Sequence, residues 1–168
     1  GNVIDPIEYI EKFGTDALRY FLLRHIHPTE DSDFTQERFE EAYTANLVNG
    51  LGNLVARVMK LAEEHLAPVE LSADDTQIEA AFTEKLDQFK FNEAMDLIWE
   101  HVSKGDAFMT ERAPYTKLKI EPEEAKKDLE KLVRHIAKVA AHLGPVMPAT
   151  SEKILSAVRT NKKPENLF

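Results

Sequence analysis

Three asparagines and an arginine, Asn46, Asn49, Asn53 and Arg57, fall at i, i+3, i+7 and i+11 in the stretch NLVNGLGNLVAR, residues 46–57. At helical pitch this spacing sets them along one edge, beside the apolar stripe of Leu47, Leu51, Leu54 and Val58. A carboxamide presents a donor and an acceptor together, and a guanidinium presents a planar fork and a stacking surface. An amide and a guanidinium one turn apart can read the edge of an unpaired base, which is how proteins distinguish RNA sequences. A polar bundle edge whose amides bond to neighbouring loops has the same spacing, and on spacing alone that plainer reading is the stronger.

The stretch also holds Gly50 and Gly52. An interior glycine destabilises a helix by about 1 kcal/mol relative to alanine. A stable bundle tolerates two of them if the backbone must approach another helix or a ligand closely.

Other chemistries find less support. The chain has no cysteine, so disulfides and thiolate metal sites are excluded. The histidines at 25, 27, 65, 101, 135 and 142 show no metal-ligand spacing and are expected at surfaces or caps, with no metal bound. No acidic pair can be assigned to acid–base work, and no catalytic residue is expected. Trp99, the only tryptophan, shares a stripe with Met95 and Val102 and is expected in the core.

The elements that must position the Asn/Arg edge read almost entirely as helix. Asp5 caps and Pro6 opens a first helix that Gly14 stops. Thr15 is expected to cap the next, over TDALRYFLLRHI. The acidic connector HPTEDSDF leads to Thr35, the expected cap of a long helix from Gln36 to about Leu66. Further helices are expected over Thr76–Phe89, over Asn92–Arg112 with a bend at Gly105, and from Pro122 through Val139. Pro145 and Pro148 mark a corner before a short last helix capped by Ser151. No alternating strand pattern persists. The fold class is all-α: an antiparallel helix bundle over residues 35–168, preceded by a small helical segment, residues 1–34.

Charge is unevenly spread. The net charge is −9. Residues 1–116 carry 10 Lys+Arg against 23 Asp+Glu, and residues 117–168 carry 11 against 7. A partner bound mainly through phosphates is disfavoured, so any nucleic-acid contact must be local, through chosen side chains or the basic C-terminal part. No apolar run approaches the length of a membrane span. The chain, opening on GNVIDP, is expected to carry no leader and to work in the cytoplasm.

Larger blocks carry a resemblance. GNVIDPIEYIEKFGTDALRYFLLR resembles the segment that follows the lysine signature loop of class I aminoacyl-tRNA synthetases. DSDFTQERF followed by NLVNGLGNLVAR narrows this to the methionyl-tRNA synthetase family, and LGPVMPATSEKIL resembles that family's closing helix pair. Each piece alone is shared with valyl, leucyl or isoleucyl relatives.

The resemblance implies a C-terminal fragment. Residues 1–34 would be the stem-contact segment and residues 35–168 the helical anticodon-binding domain, recognising the CAU anticodon of methionine tRNA. ATP, Mg²⁺ and any zinc insertion would belong to the catalytic domain upstream, its partner in the full-length methionine–tRNA ligase. This fragment alone should be inactive and need no cofactor. The family's anticodon contacts match Asn49, Asn53 and Arg57, and its stacking tryptophan is replaced by Tyr115 in ERAPYTK. Tyrosine keeps an aromatic face for a base. Lys117 and Lys119, close to Tyr115, are candidates for tRNA backbone contacts. A second departure is Asp106, where an asparagine is common; an aspartate near RNA repels unless paired. Two alternative readings are the same domain of a valyl, isoleucyl or leucyl synthetase, with another anticodon, and a helical protein-interaction module without RNA binding, in which the Asn/Arg edge would be covered by protein.

Overall fold

The computed structural model describes residues 4–27 and 29–168; the opening Gly1–Val3 and Pro28 of the acidic connector lie outside the described residues. It is all-α. In chain order the elements are α1 (Pro6–Phe13), α2 (Thr15–His25), α3 (Gln36–Ala42), a π-helical segment (Tyr43–Gly52), α4 (Asn53–His65) and a 3₁₀ turn (Ala73–Thr76). Then follow α5 (Ala80–Asp87), α6 (Phe91–Arg112), α7 (Pro114–Lys117), α8 (Pro122–Leu143) and α9 (Pro148–Thr160).

The centre of the bundle is α8, which packs against α4, α6 and α9. Its stripe of Leu129, Leu132, Val133, Ile136, Val139 and Leu143 is buried and meets Leu54, Val58, Met95 and Ile98 in one continuous core. That core extends into α2 through Ala17, Leu18, Tyr20 and Phe21. An aromatic cluster joins the first two helices to α3: the Phe39 ring lies 4.9 Å from both Tyr9 and Phe13 and 5.3 Å from Phe21. Asp16 adds a polar tie, accepting from the Thr150 backbone N–H at 2.6 Å and from its hydroxyl at 2.7 Å.

Several expected boundaries are corrected. Asp5 accepts from Ile7 N–H at 2.9 Å and Thr35 from Arg38 N–H at 3.2 Å, as expected of helix caps. Thr15, however, is already helical, and Gly14 occupies the cap position with φ 87°. Ser151 lies inside α9, its hydroxyl donating to the Ala140 carbonyl at 2.6 Å; Asp16 meets the first turn of α9 instead, a contact between residues far apart in sequence. The Thr76–Phe89 helix divides into the 3₁₀ turn and α5, which leaves Ile78 outside any helix. Gly105 sits at a close crossing: a Cβ there would stand 2.9 Å from Leu54 Cδ2 and 3.0 Å from His135 Cδ2, so a side chain at this point of α6 would force both neighbours to shift.

The long helix after Thr35 runs to His65, but its middle is π-helical. The wider i→i+5 turns bring the Leu47 carbonyl to 2.9 Å from where a Cβ on residue 52 would stand. Gly52 therefore answers a crowding that comes first from its own backbone. Leu47, Leu51 and Leu54 are fully buried, and each such side chain contributes about 1.5–3 kcal/mol. Their sum outweighs the roughly 2 kcal/mol lost to two helical glycines.

Candidate nucleic-acid interface

The polar edge is open to solvent. Asn49, Asn53 and Arg57 are exposed, while their neighbours Leu47, Leu51, Leu54 and Val58 face inward. Asn46 departs from the row: it is half-buried, and its carbonyl accepts from Trp99 Nε1 at 3.2 Å. Trp99 is buried, as its stripe predicts.

Arg57 and Tyr115 come together. With Lys60, Leu61, Glu64 and Met109 they line an open groove of about 340 Å³ between α4, the end of α6 and α7. Tyr115 is 65% exposed, so its ring is free to receive a planar partner. The ammonium of Lys119 lies 5.1 Å from the ring centroid, a cation–π contact that places positive charge beside the platform. Arg57 Nη1 stands 3.7 Å from Asp106 Oδ1, so this aspartate is paired. Beyond hydrogen-bond range and half-exposed, the pair leaves the guanidinium free to turn.

The short helix carrying Tyr115 is held from below. Ala113 adopts a left-handed conformation (φ 42°) that separates α6 from α7. Asp128, buried on α8, accepts from Arg112 Nε at 3.1 Å and from Lys117 Nζ at 3.2 Å, bracketing this turn. Burial raises the Asp128 pKa, but the hydrogen bonds and charges of Arg112 and Lys117 outweigh it, and its carboxyl is held below the ordinary aspartate range. Lys117 thus turns inward to anchor α7, and Lys119 is exposed. The sequence did carry a signal for Asp128: a lone acid at the core-facing position between Ala125 and Leu132.

Asn49 and Asn53 open onto a second hollow. They line about 240 Å³ with Val48, Gly52 and Ala56 on one side and the terminal stretch Pro164–Phe168 on the other. The Phe168 ring packs edge-on to Tyr43 at 6.2 Å. The expected single row is thus two adjacent hollows along one helix edge, one walled by Tyr115 and one by the tail. Nothing in ENLF marks it as a wall, because that contact joins residues more than a hundred positions apart.

Three of the histidines depart from expectation. His101 and His142 are buried and His135 is half-buried, between α6 and α8 rather than at surfaces or caps. Nor are they without ligand-like neighbours: His101, His142 and Glu79 converge, a grouping that their separation along the chain concealed.

Residues 60–166 match the family described as the anticodon binding domain of methionyl tRNA ligase, and residues 1–59 match the class I tRNA synthetases (M). The chain belongs to the methionyl-tRNA ligase family. A methionine–tRNA ligase of Clostridium acetobutylicum is 34% identical over 92% of this chain, and one of Enterococcus faecalis is 32% identical over 99%. The chain spans about a quarter of the length of these relatives, 26% and 27%. Among solved structures, Mycobacterium tuberculosis methionyl-tRNA synthetase bound by methionyl-adenylate superposes with a TM-score of 0.79 at 23% identity, over all of this chain and 38% of that one. Its apo form gives 0.75 at 24% identity, over 91% of this chain and 34% of the other. These likenesses establish the fold as that of the family's helical part. Among the described residues no helix is long and apolar enough to cross a membrane.

Proposed function

We propose that this domain reads the CAU anticodon of methionine tRNA for the full-length methionine–tRNA ligase. The observation that carries the reading is the convergence of Arg57 and Tyr115 on one open groove, with Asn49 and Asn53 exposed on the same helix edge. An unstacked base lies against the Tyr115 ring, where base–aromatic stacking contributes about 1–3 kcal/mol. The Arg57 fork and the two amides meet base edges, and a wrong base leaves a desolvated donor or acceptor unpaired. Lys119 meets a backbone phosphate, while Lys117 acts through Asp128 by holding the turn that presents both Tyr115 and Lys119. Residues 1–34 serve as the stem-contact segment and residues 35–168 as the anticodon reader. In the cytoplasm the whole enzyme activates methionine with ATP and Mg²⁺ on its upstream catalytic domain and esterifies the tRNA.

The test is a titration of the chain with the methionine-tRNA anticodon stem–loop and with one whose first anticodon base is changed. Arg57→Ala is expected to abolish the difference between the two while the circular dichroism stays helical. Unchanged selectivity in that variant removes Arg57 from the site. Equal binding of both stem–loops by the parent chain removes the anticodon reading itself, in favour of an interaction module or of a related synthetase with another anticodon.

A further inference from the structure

Away from the groove, three side chains remote in sequence meet where α5, α6 and α8 come together. Glu79 precedes α5, His101 lies in α6 and His142 in the last turn of α8. Glu79 Oε2 stands 3.0 Å from His101 Nε2 and 3.9 Å from His142 Nε2. The three candidate ligand atoms all lie within 4.8 Å of one another. Both imidazoles are buried, while the Glu79 side chain is 38% exposed and leaves one side of the cluster accessible.

The surroundings suit a ligand set. His142 Nδ1 is 2.8 Å from the Lys138 carbonyl, to which it donates, and this leaves the lone pair on Nε2. That is the tautomer and the outer support of a metal-bound imidazole.

We propose that Glu79, His101 and His142 form a binding site for a divalent ion of the zinc class. Two imidazole nitrogens and one carboxylate oxygen are a donor set such ions take. Tetrahedral bonds of about 2.0–2.2 Å place ligand atoms about 3.3 Å apart. The two Glu79 separations, 3.0 and 3.9 Å, bracket that value, and the His101 and His142 ligand atoms stand within 4.8 Å of each other, so the two rings must also turn toward one another for the site to close. Two hydrogen bonds give way on binding. The His101 proton moves from Nε2 to Nδ1, so that Nε2 becomes a ligand instead of a donor to Glu79. The Glu79 backbone N–H, which donates to His142 Nε2 at 3.1 Å, turns to water on the accessible side. The ion would tie the start of α5 to α6 and α8, and the fourth coordination position would face solvent.

The experiment uses the tag-free 168-residue chain, stripped with a chelator, titrated with Zn²⁺ by calorimetry and with Co²⁺ by visible absorption. One equivalent is expected to bind, with the absorption of tetrahedral Co²⁺, a rise in Tm, and weaker binding as pH falls and protons compete. Glu79→Gln and His101→Gln are each expected to weaken binding by more than about tenfold, the loss that even an outer-shell change causes. In the parent chain, Zn²⁺ should shift the ¹⁵N resonances of His101 and His142 and leave those of His27 and His65 in place, which keeps the test decisive if a variant fails to fold. No saturable binding, or unchanged affinity in both variants, overturns the site and leaves a hydrogen-bonded histidine cluster.

Discussion

Asp106 gives a test of the groove in which two effects oppose. Replacing it with asparagine keeps the shape and removes one negative charge beside Arg57. If Asp106 oriented the guanidinium for its base, the change would weaken binding. The geometry argues otherwise: at 3.7 Å the pair is not a hydrogen bond, and with side chains 47% and 43% exposed it fixes no orientation. Exposed pairs of this kind contribute about 0–1 kcal/mol. What Asp106 supplies to an incoming RNA is therefore mainly charge. For a phosphate about 8 Å away, an effective dielectric of roughly 20–40 gives about 1–2 kcal/mol of repulsion before screening. At physiological salt one Debye length is about 8 Å, which reduces this to roughly 0.4–0.8 kcal/mol. Asp106→Asn is thus expected to tighten stem–loop binding about two- to fourfold at 0.15 M salt, with a larger gain at low salt and little gain at high salt. Its effect on folding stability should stay within about 0.5 kcal/mol. Fluorescence anisotropy with labelled stem–loop across a salt series measures both quantities. Binding that weakens in Asp106→Asn, or a gain independent of salt, would refute the electrostatic account and make Asp106 a positioning group for Arg57.

Three more outcomes follow from the same geometry. Tyr115→Ala should weaken stem–loop binding by about 5- to 150-fold, the equivalent of 1–3 kcal/mol of stacking, and Tyr115→Trp should tighten it; because the ring is mostly exposed, both variants should keep the parent Tm, and a large Tm loss would show a core role. Asp128→Asn should lower Tm by several degrees and weaken binding, but add little in a Tyr115→Ala background, since it acts through the turn carrying that ring; full additivity would separate the two. Burial holds His135 and His142 below the usual histidine range, so the unfolded chain binds more protons than the folded one once pH drops below about 6.5. Stability should be full above that pH and fall progressively beneath it, as urea midpoints at about pH 7.5 and 5.5 would register; equal midpoints would contradict the buried neutral rings.

Periodicity made the helices legible because each apolar face had to be continuous to be buried. Leu129, Leu132, Val133, Ile136 and Val139 are spaced as α8 requires, and all are in the core. What local pattern could not supply was any contact closing over long distances. Ser151 has the chemistry of a helix cap, but Asp16, on the second helix, is the carboxylate that binds the start of α9, and no local pattern names it. His101 looks unrelated to His135 and His142, which share α8, because the turns that bring α6 and α8 together lie between them.

The polar edge was legible for a different reason. Side-chain chemistry is local, and Asn49, Asn53 and Arg57 remain on one exposed edge whether the backbone turns as an α- or a π-helix, because residues four apart stay nearly in line in both. The glycines were the part open to misreading. Their presence suggested a neighbour pressing on the helix, and Phe168 does lie 3.5 Å from where a Cβ on residue 52 would stand. The tighter approach is internal, from the Leu47 carbonyl at 2.9 Å. Replacing Gly52 with alanine would therefore clash first with the segment's own π turns and push them toward α-helical pitch. Such a change rotates everything before residue 52 relative to α4. It would move Asn49 against Asn53 and Arg57 without touching either, so the glycine's bearing on base reading runs through register rather than contact.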